Sequence, residues 1–214
     1  MGFLTGGPYY HLVGRTGNNV GRVKNGKNTF AMRPHKSNKP ATQLQLDQRL
    51  QFGLFTSWVA ELGLFVDIGF KDYDADMSPR NACMSYNFKQ NVITGVSPNY
   101  SIDFGKVVLS RGKLVGVELP DVATGAGISV EFSWSADPGF SNAKATDKMY
   151  FAVYDPTADR FALVMGAVTR AALGYTMLLP AEFSGHMVRA WVMVVSADGK
   201  LVSNSVHLGP VPVG

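Results

Sequence analysis

Acidic residues are missing from the start of this 214-residue sequence. Residues 1–46 contain no Asp or Glu, and they hold seven basic residues: Arg15, Arg22, Lys24, Lys27, Arg33, Lys36 and Lys39. The rest of the chain has 13 basic and 16 acidic residues, so the net charge of +4 divides into +7 and −3. This division indicates a basic N-terminal segment whose partner is a nucleic acid or an acidic protein surface, including that of a second copy.

The sequence is also poor in cysteine and in charge. Cys83 is its single cysteine, which excludes an internal disulfide and any metal cluster built on cysteines. Charged residues make up 17% of the chain, against a usual ~25%. Low charge is expected both of a β-rich domain and of a protein that buries surface against copies of itself.

Long apolar runs are missing as well. No stretch approaches the ~20 apolar residues that a helix needs to cross a bilayer, so we expect no membrane span. The first residues lack the basic-then-apolar order of a secretory signal. We therefore expect synthesis in the cytoplasm, with the final location, extracellular or in an assembled particle, left open.

Residues 21–28 match part of a phosphate-binding loop, G-x-x-x-x-G-K-[ST], but Asn28 replaces the required hydroxyl residue. Asn25-Gly26 is instead a strong signal for a two-residue hairpin turn. Pairing across this turn puts Lys24 opposite Lys27. Such a hairpin, over residues 18–33, would carry Val23, Phe30 and Met32 on one face and Arg22, Lys24, Lys27 and Thr29 on the other.

The middle of the chain shows two helix signals. Thr42 and Gln45 fit a capping box, and apolar residues then recur at helical spacing to about residue 66. Ser78-Pro79 begins a second helix, for which Gly95 is the predicted end. Residues 34–41 are polar, basic and bracketed by prolines, which predicts a linker.

The last hundred residues have the period of β-strands. Turn-rich clusters separate seven candidate strands, at 114–119, 128–134, 148–155, 160–168, 175–180, 187–197 and 201–208. This spacing predicts an immunoglobulin- or fibronectin III-like β-sandwich, with Trp134 and Trp191 in its core. The predicted class is α+β, mainly β. The predicted segments are a glycine-rich basic arm (1–40), a helical segment with a connecting strand (41–113) and the sandwich (114–214).

Several motifs, taken in order, resemble a family of unknown function found mostly in Bacteroidota. They are GNNVGRVKNGKNTFAMRP, PATQLQLDQRLQF, NYSIDFGKVVLSRGKL, NAKATDKMYFAVYDP, LPAEFSGHMVRAWVMVVSADGK and VSNSVHLG. The resemblance extends from the first glycines to Gly209. It implies a helical N-terminal part followed by an Ig-like C-terminal part, and it implies no activity and no catalytic residues.

No residue pattern indicates catalysis or a cofactor. The four histidines have no carboxylate or cysteine at ligand spacing, and Cys83 lies in a setting typical of a buried thiol. Asp72, Asp74 and Asp76 alternate as in a calcium loop, but the glycine and the closing glutamate of that motif are missing. We therefore expect no cofactor, no metal and no enzymatic activity.

The sequence is most consistent with a non-enzymatic structural protein that assembles with copies of itself. The expected product is a filament, fibre or virion-like assembly in which the N-terminal arm contacts neighbouring subunits, through the seven basic residues. One alternative is a nucleic-acid-binding module that uses the basic hairpin face. Another is a ligand-binding surface protein that uses sandwich loops near residues 138–140 and 166–170.

Overall fold

The computed structural model describes residues 2–24, 26–35, 38–136 and 142–214. The chain forms two compact units, residues 1–45 and 46–214. Most of the segment predicted to be helical therefore shares a unit with the predicted sandwich. The α+β class with mainly β structure is confirmed, since strands dominate both units and the described helices lie almost entirely in the second.

The N-terminal unit contains a four-stranded antiparallel sheet. Its strands are β1 (Gly2–Leu4), β2 (Gly14–Thr16), β3 (Asn19–Lys24) and β4 (Lys27–Met32), in the spatial order β1-β4-β3-β2. Lys24 pairs with Lys27 and Gly21 with Phe30, so the predicted hairpin register is confirmed. Gly26 has the positive φ, 73°, that the turn requires, whereas Asn25 lies outside the described residues.

The same strands rule out a phosphate-binding loop. Such a loop needs a helix directly after its lysine, because the N-terminus of that helix binds the phosphates. Lys27 instead begins β4, which continues to Met32. The apparent match arises because the glycine that the hairpin turn requires is followed by a lysine that begins the next strand.

Three helices follow: α1 (Gln43–Leu62), α2 (Leu64–Gly69) and α3 (Pro79–Lys89). The Thr42 backbone N–H donates to Gln45 Oε1 over 3.2 Å, as a capping box requires. The first helix does not run unbroken to residue 66, because Gly63 adopts a φ of 46° and separates α1 from α2.

The third helix begins as predicted but ends earlier. Ser78 accepts a hydrogen bond from the Asn81 N–H, which makes it the N-cap before Pro79. The predicted end at Gly95 is wrong, because α3 stops at Lys89 and Asn91 already has a φ of 52°. Gly95 lies in a hairpin formed by β5 (Ile93–Val96) and β6 (Asn99–Ile102).

The remaining strands form two antiparallel sheets. They are β7 (Glu118–Thr124), β8 (Ser129–Ser135), β9 (Lys148–Asp155), β10 (Arg160–Thr169), β11 (Gly174–Leu178), β12 (Met187–Val195) and β13 (Val206–Pro212). The sheet orders are β11-β8-β7 and β10-β9-β12-β13. The strands predicted at 114–119 and 201–208 begin later than expected, as β7 and β13. Near their predicted starts the chain makes only the isolated bridges Leu114 to Ser203 and Val195 to Val202.

The four-stranded sheet of the second unit is buried on both faces. In β9, Phe151 and Val153 join the core shared with the three-stranded sheet, whereas Ala152 and Tyr154 join the core under the helices. Strand β12 alternates in the same way, with Val192 on the sandwich side and Trp191 on the helix side. Trp134 and Trp191 are both buried, as predicted, but in different cores.

A buried ion pair fixes one end of the sandwich. Arg170 and Asp147 have 3% and 0% exposed side chains, and Arg170 Nη2 lies 3.6 Å from Asp147 Oδ2. The guanidinium also donates to the carbonyl oxygens of Val115 and Gly116. The Trp134 indole N–H donates to the Arg170 carbonyl oxygen over 2.8 Å. These bonds tie the Arg170 side chain to Asp147 and to residues 115–116, and the Arg170 backbone to Trp134.

Candidate functional site

The strand register collects predicted basic residues on one side of the N-terminal sheet. Residues directly opposite in a ladder share a face, and every second residue of a strand returns to it. Arg15 lies opposite Val20, Arg22 opposite Thr29 and Lys24 opposite Lys27. Arg15, Arg22, Lys24 and Lys27 therefore lie on the same face, which we call the basic face.

The other three predicted residues follow the sheet. Arg33 is exposed just after β4, where its backbone N–H donates to the Asn18 carbonyl oxygen over 2.7 Å. Lys39 is exposed before α1, and Lys36 lies outside the described residues. The structure thus brings four of the seven residues together on strands and places Arg33 at the end of one of those strands.

An aromatic side chain on the basic face was not predicted. Phe3 lies opposite Thr29 in the β1–β4 ladder, so it shares the face of Arg22 and Lys27, and it is 65% exposed. Sequence patterns gave no signal for it, because β1 has only three residues and its partner is some 25 positions away along the chain.

The opposite face of this sheet packs against the segment before β2. The Tyr9 ring stacks on Phe30 with centroids 5.7 Å apart. The Leu12 carbonyl oxygen lies so close to Gly21 that a Cβ there would be 2.2 Å from it. This packing covers one face of the sheet. Arg15, Arg22 and Lys27 are exposed on the basic face, which this segment does not cover.

The second unit has a cavity of about 180 Å³ between the C-terminal half of α1 and the turn after β9. We call it the acidic cavity, and define it by the lining residues Ser57, Trp58, Glu61, Phe104, Tyr154 and Asp159. Trp58 and Glu61 are three residues apart on α1, which places them on the same side of the helix. Asp159 comes from the turn between β9 and β10.

Aromatic rings form one wall of the acidic cavity. The Trp58 ring lies edge-on to Tyr154 at 5.5 Å and tilted against Phe104 at 5.9 Å. The Arg189 guanidinium already lies 6.0 Å from the Phe104 ring centroid, so this ring takes part in one cation–π contact within the chain. The wall is rigid because Trp58 and Tyr154 are each 5% exposed.

Tyr154 and Asp159 are joined by a short hydrogen bond. The Tyr154 hydroxyl donates to Asp159 Oδ1 over 2.6 Å. Burial raises the pKa of Tyr154, and Asp159 and the Glu61 charge raise it further. The Trp58 indole N–H opposes this rise, although it makes no hydrogen bond of normal geometry. Tyr154 therefore stays neutral and holds the Asp159 carboxylate in place.

The Glu61 and Asp159 carboxylates supply the negative charge of the acidic cavity. Glu61 and Asp159 are both exposed, and in the part of the chain that the structure describes neither pairs with a lysine, arginine or histidine. Aromatic faces and carboxylates together favour an organic cation, because the ring quadrupole and the negative charges attract it jointly. Sequence reasoning missed this site, since its residues come from three distant segments.

His207 is a partly buried histidine whose ring packs against Trp191, with centroids 5.0 Å apart. Burial lowers the pKa of His207, with the nearby Arg189 charge adding to the effect and Asp103 opposing it. Because the unfolded chain binds this proton more tightly, stability should fall as the pH drops below the unfolded value of about 6.5 and should level off below the folded pKa. Urea unfolding of the wild type and His207→Gln between pH 5 and 8 measures this. Equal pH slopes would contradict the prediction.

Other candidate groups are structural. Cys83 is fully buried, and burial raises the pKa of its thiol to about 12, so it is a poor nucleophile. Asp155 accepts the Thr157 N–H over 2.8 Å in the turn after β9, and it also lies 2.6 Å from His186 Nδ1. No group of three or more potential metal ligands occurs among the residues that the structure describes.

Of the two predicted ligand loops of the sandwich, one lies among the described residues. Residues 138–140 lie outside the described residues. The expectation of a loop at 166–170 is wrong, because Gly166 lies within β10 at a bulge and Arg170 is buried in its ion pair. The bulge follows from Gly166, whose φ of 68° interrupts the regular ladder.

Comparison with known proteins gives a family. No described helix is long and apolar enough to cross a membrane. No curated protein matches the sequence significantly. A family model, however, matches residues 11–209, which is nearly the whole chain and contains β2–β12, the described helices and the first part of β13. The chain therefore belongs to the family of unknown function DUF6266.

Proposed function

We propose that this protein is a non-enzymatic structural subunit that assembles with copies of itself through the basic face of its N-terminal sheet. The observation that carries the proposal is the common face of Arg15, Arg22, Lys24 and Lys27, in a segment that contains no acidic residue. The remainder of the chain is net acidic, so each copy offers both a positive and a negative surface.

Two different surfaces on one chain favour a head-to-tail contact. Such contacts do not close on themselves unless the rotation between subunits allows it, and they otherwise produce open filaments. The short edge strands β1 and β2 add a second means of contact, because an edge strand has backbone groups that can pair with another chain. A filament or fibre is therefore the expected product.

Charge reversal tests this assembly directly. The variant Arg22→Glu/Lys27→Glu should raise the concentration required for assembly by about tenfold or more, because like charges then meet across the contact. Sedimentation velocity and negative-stain microscopy at low and high salt measure it. The control Lys113→Glu/Lys200→Glu has the same charge change on exposed residues of the second unit and should assemble normally. A wild type that stays monomeric at every salt concentration would refute the proposal.

Nucleic-acid binding is a second candidate function, favoured by one observation. Phe3 is 65% exposed among the basic residues, and an exposed ring beside cations is a platform on which a single-stranded base can stack. The same variants separate the two functions when fluorescence anisotropy with a single-stranded oligonucleotide is added. Salt-dependent binding by a wild-type monomer, lost in the charge-reversed variant and retained in the control, would favour nucleic acid over self-assembly.

A further inference from the structure

We propose that the acidic cavity is the receptor for an arginine side chain from the basic face of a second copy. This inference rests on the proposed assembly and names the contact that it uses. The cavity contributes the Glu61 and Asp159 carboxylates and the rings of Trp58, Phe104 and Tyr154. The basic face contributes Arg15 and Arg22, which are exposed.

The cavity has the chemistry that a guanidinium requires. A guanidinium is planar, stacks on aromatic faces and donates in pairs to carboxylates, whereas an ammonium acts as a compact point charge. Tyr154 uses its proton to hold Asp159, and Glu61 has no cation partner among the described residues. Both carboxylates are therefore positioned at the mouth of a site whose wall is aromatic.

Apolar residues beside each surface extend the match. Leu46 and Leu50 are 42% and 47% exposed on α1, and they precede Leu54 and Trp58 at intervals of four residues. They form an apolar strip that leads along the helix into the acidic cavity. On the basic face, Phe3 is exposed beside Arg22 and Lys27. Each surface thus combines an apolar part with charged residues, and the charges of the two surfaces are opposite in sign.

Binding of the cation is tested without assembly. The Arg22→Glu/Lys27→Glu variant is titrated with N-acetyl-arginine methylamide while the Trp58 indole N–H signal is followed by NMR, assigned through Trp58→Phe. The expected result is a saturating shift at millimolar probe. Adding Glu61→Gln/Asp159→Asn should weaken binding about tenfold or more, because charge-assisted hydrogen bonds are lost. N-acetyl-citrulline methylamide, the neutral analogue, should not shift the signal.

Assembly is then tested by complementation between two variants. Glu61→Arg/Asp159→Asn removes the receptor and keeps the basic face, whereas Arg22→Glu/Lys27→Glu does the reverse. Each variant alone should be monomeric, and an equal mixture should form a one-to-one dimer, because one intact contact remains and it cannot be extended. The size of the mixture is measured by sedimentation equilibrium. The circular dichroism spectrum of each variant shows that it is folded.

The outcomes separate this inference from the proposed function. If the arginine probe does not bind, or binds the doubly neutralised cavity equally well, the receptor role is refuted even where the wild type still forms filaments. If the probe binds but the wild type never assembles, the proposed function fails and the second copy is excluded as the occupant. If the wild type assembles but the mixed variants do not dimerise, the basic face meets another surface and the inference is also refuted.

Discussion

Replacement of Arg170 by methionine is expected to lower the free energy of unfolding of the second unit by about 3–5 kcal/mol, because it leaves the buried Asp147 carboxylate without its partner. The Arg170 side chain is 3% exposed, and besides Asp147 its guanidinium bonds to the carbonyl oxygens of Val115 and Gly116, so water cannot take its place at low cost. Methionine has a similar length and no charge, which limits any loss of packing. Urea unfolding followed by circular dichroism measures the change.

The double variant Arg170→Met/Asp147→Asn is the matched control. It removes the buried charge together with its partner, so it should recover a substantial part of the stability that the single variant loses. A loss below about 1 kcal/mol in the single variant would show that the pair is solvated like a surface ion pair. Exposed ion pairs of this chain, such as Arg160 with Glu182, should show only such a small effect when disrupted.

Replacement of Gly21 by alanine is expected to disrupt the N-terminal sheet. The new Cβ would lie 2.2 Å from the Leu12 carbonyl oxygen, and a backbone atom cannot move aside as the end of a side chain can. Overpacking of this kind costs about 1–3 kcal/mol or more, which is a large share of the stability of a small four-stranded sheet. The NMR signals of β1–β4 should lose their dispersion, and assembly should fail with them.

Gly6→Ala is the control for this substitution. Gly6 lies in the same unit and has a negative φ, and a Cβ there would meet nothing within 4 Å. It should keep the sheet signals of the wild type and the proposed assembly. If Gly21→Ala behaved like Gly6→Ala, the close approach of Leu12 to β3 would be refuted, and with it the assignment of the covered face.

Local signals in the sequence predicted much of the fold. The register of β3 and β4 follows from one Asn-Gly turn, and the starts of α1 and α3 follow from Thr42 and Ser78. Each of these features depends on residues within a few positions of one another, which is the range over which turn and cap chemistry acts. The mainly β class follows from the repeated strand and turn pattern in the same way.

Features that depend on distant partners were not predictable. The end of α3 was misplaced because the chain already takes a positive φ at Asn91, four residues before Gly95. The acidic cavity joins Glu61, Phe104 and Asp159, which are about 40 to 100 residues apart, and no period or motif connects them. The basic face was predicted from the residues of β3 and β4 alone. The prediction therefore missed Phe3, which reaches this face because β1 pairs with β4.

Strands β9 and β12 have ladder neighbours on both sides and side chains packed on both faces. Local fraying cannot bring solvent to their amides, because any opening there must also separate the helices or the three-stranded sheet. Amide exchange at these strands therefore reports the unfolding of the entire second unit, rather than the motion of one element. The helices and the sandwich are thus a single cooperative body, and in an assembly built from this chain the second unit of each subunit would open completely or not at all.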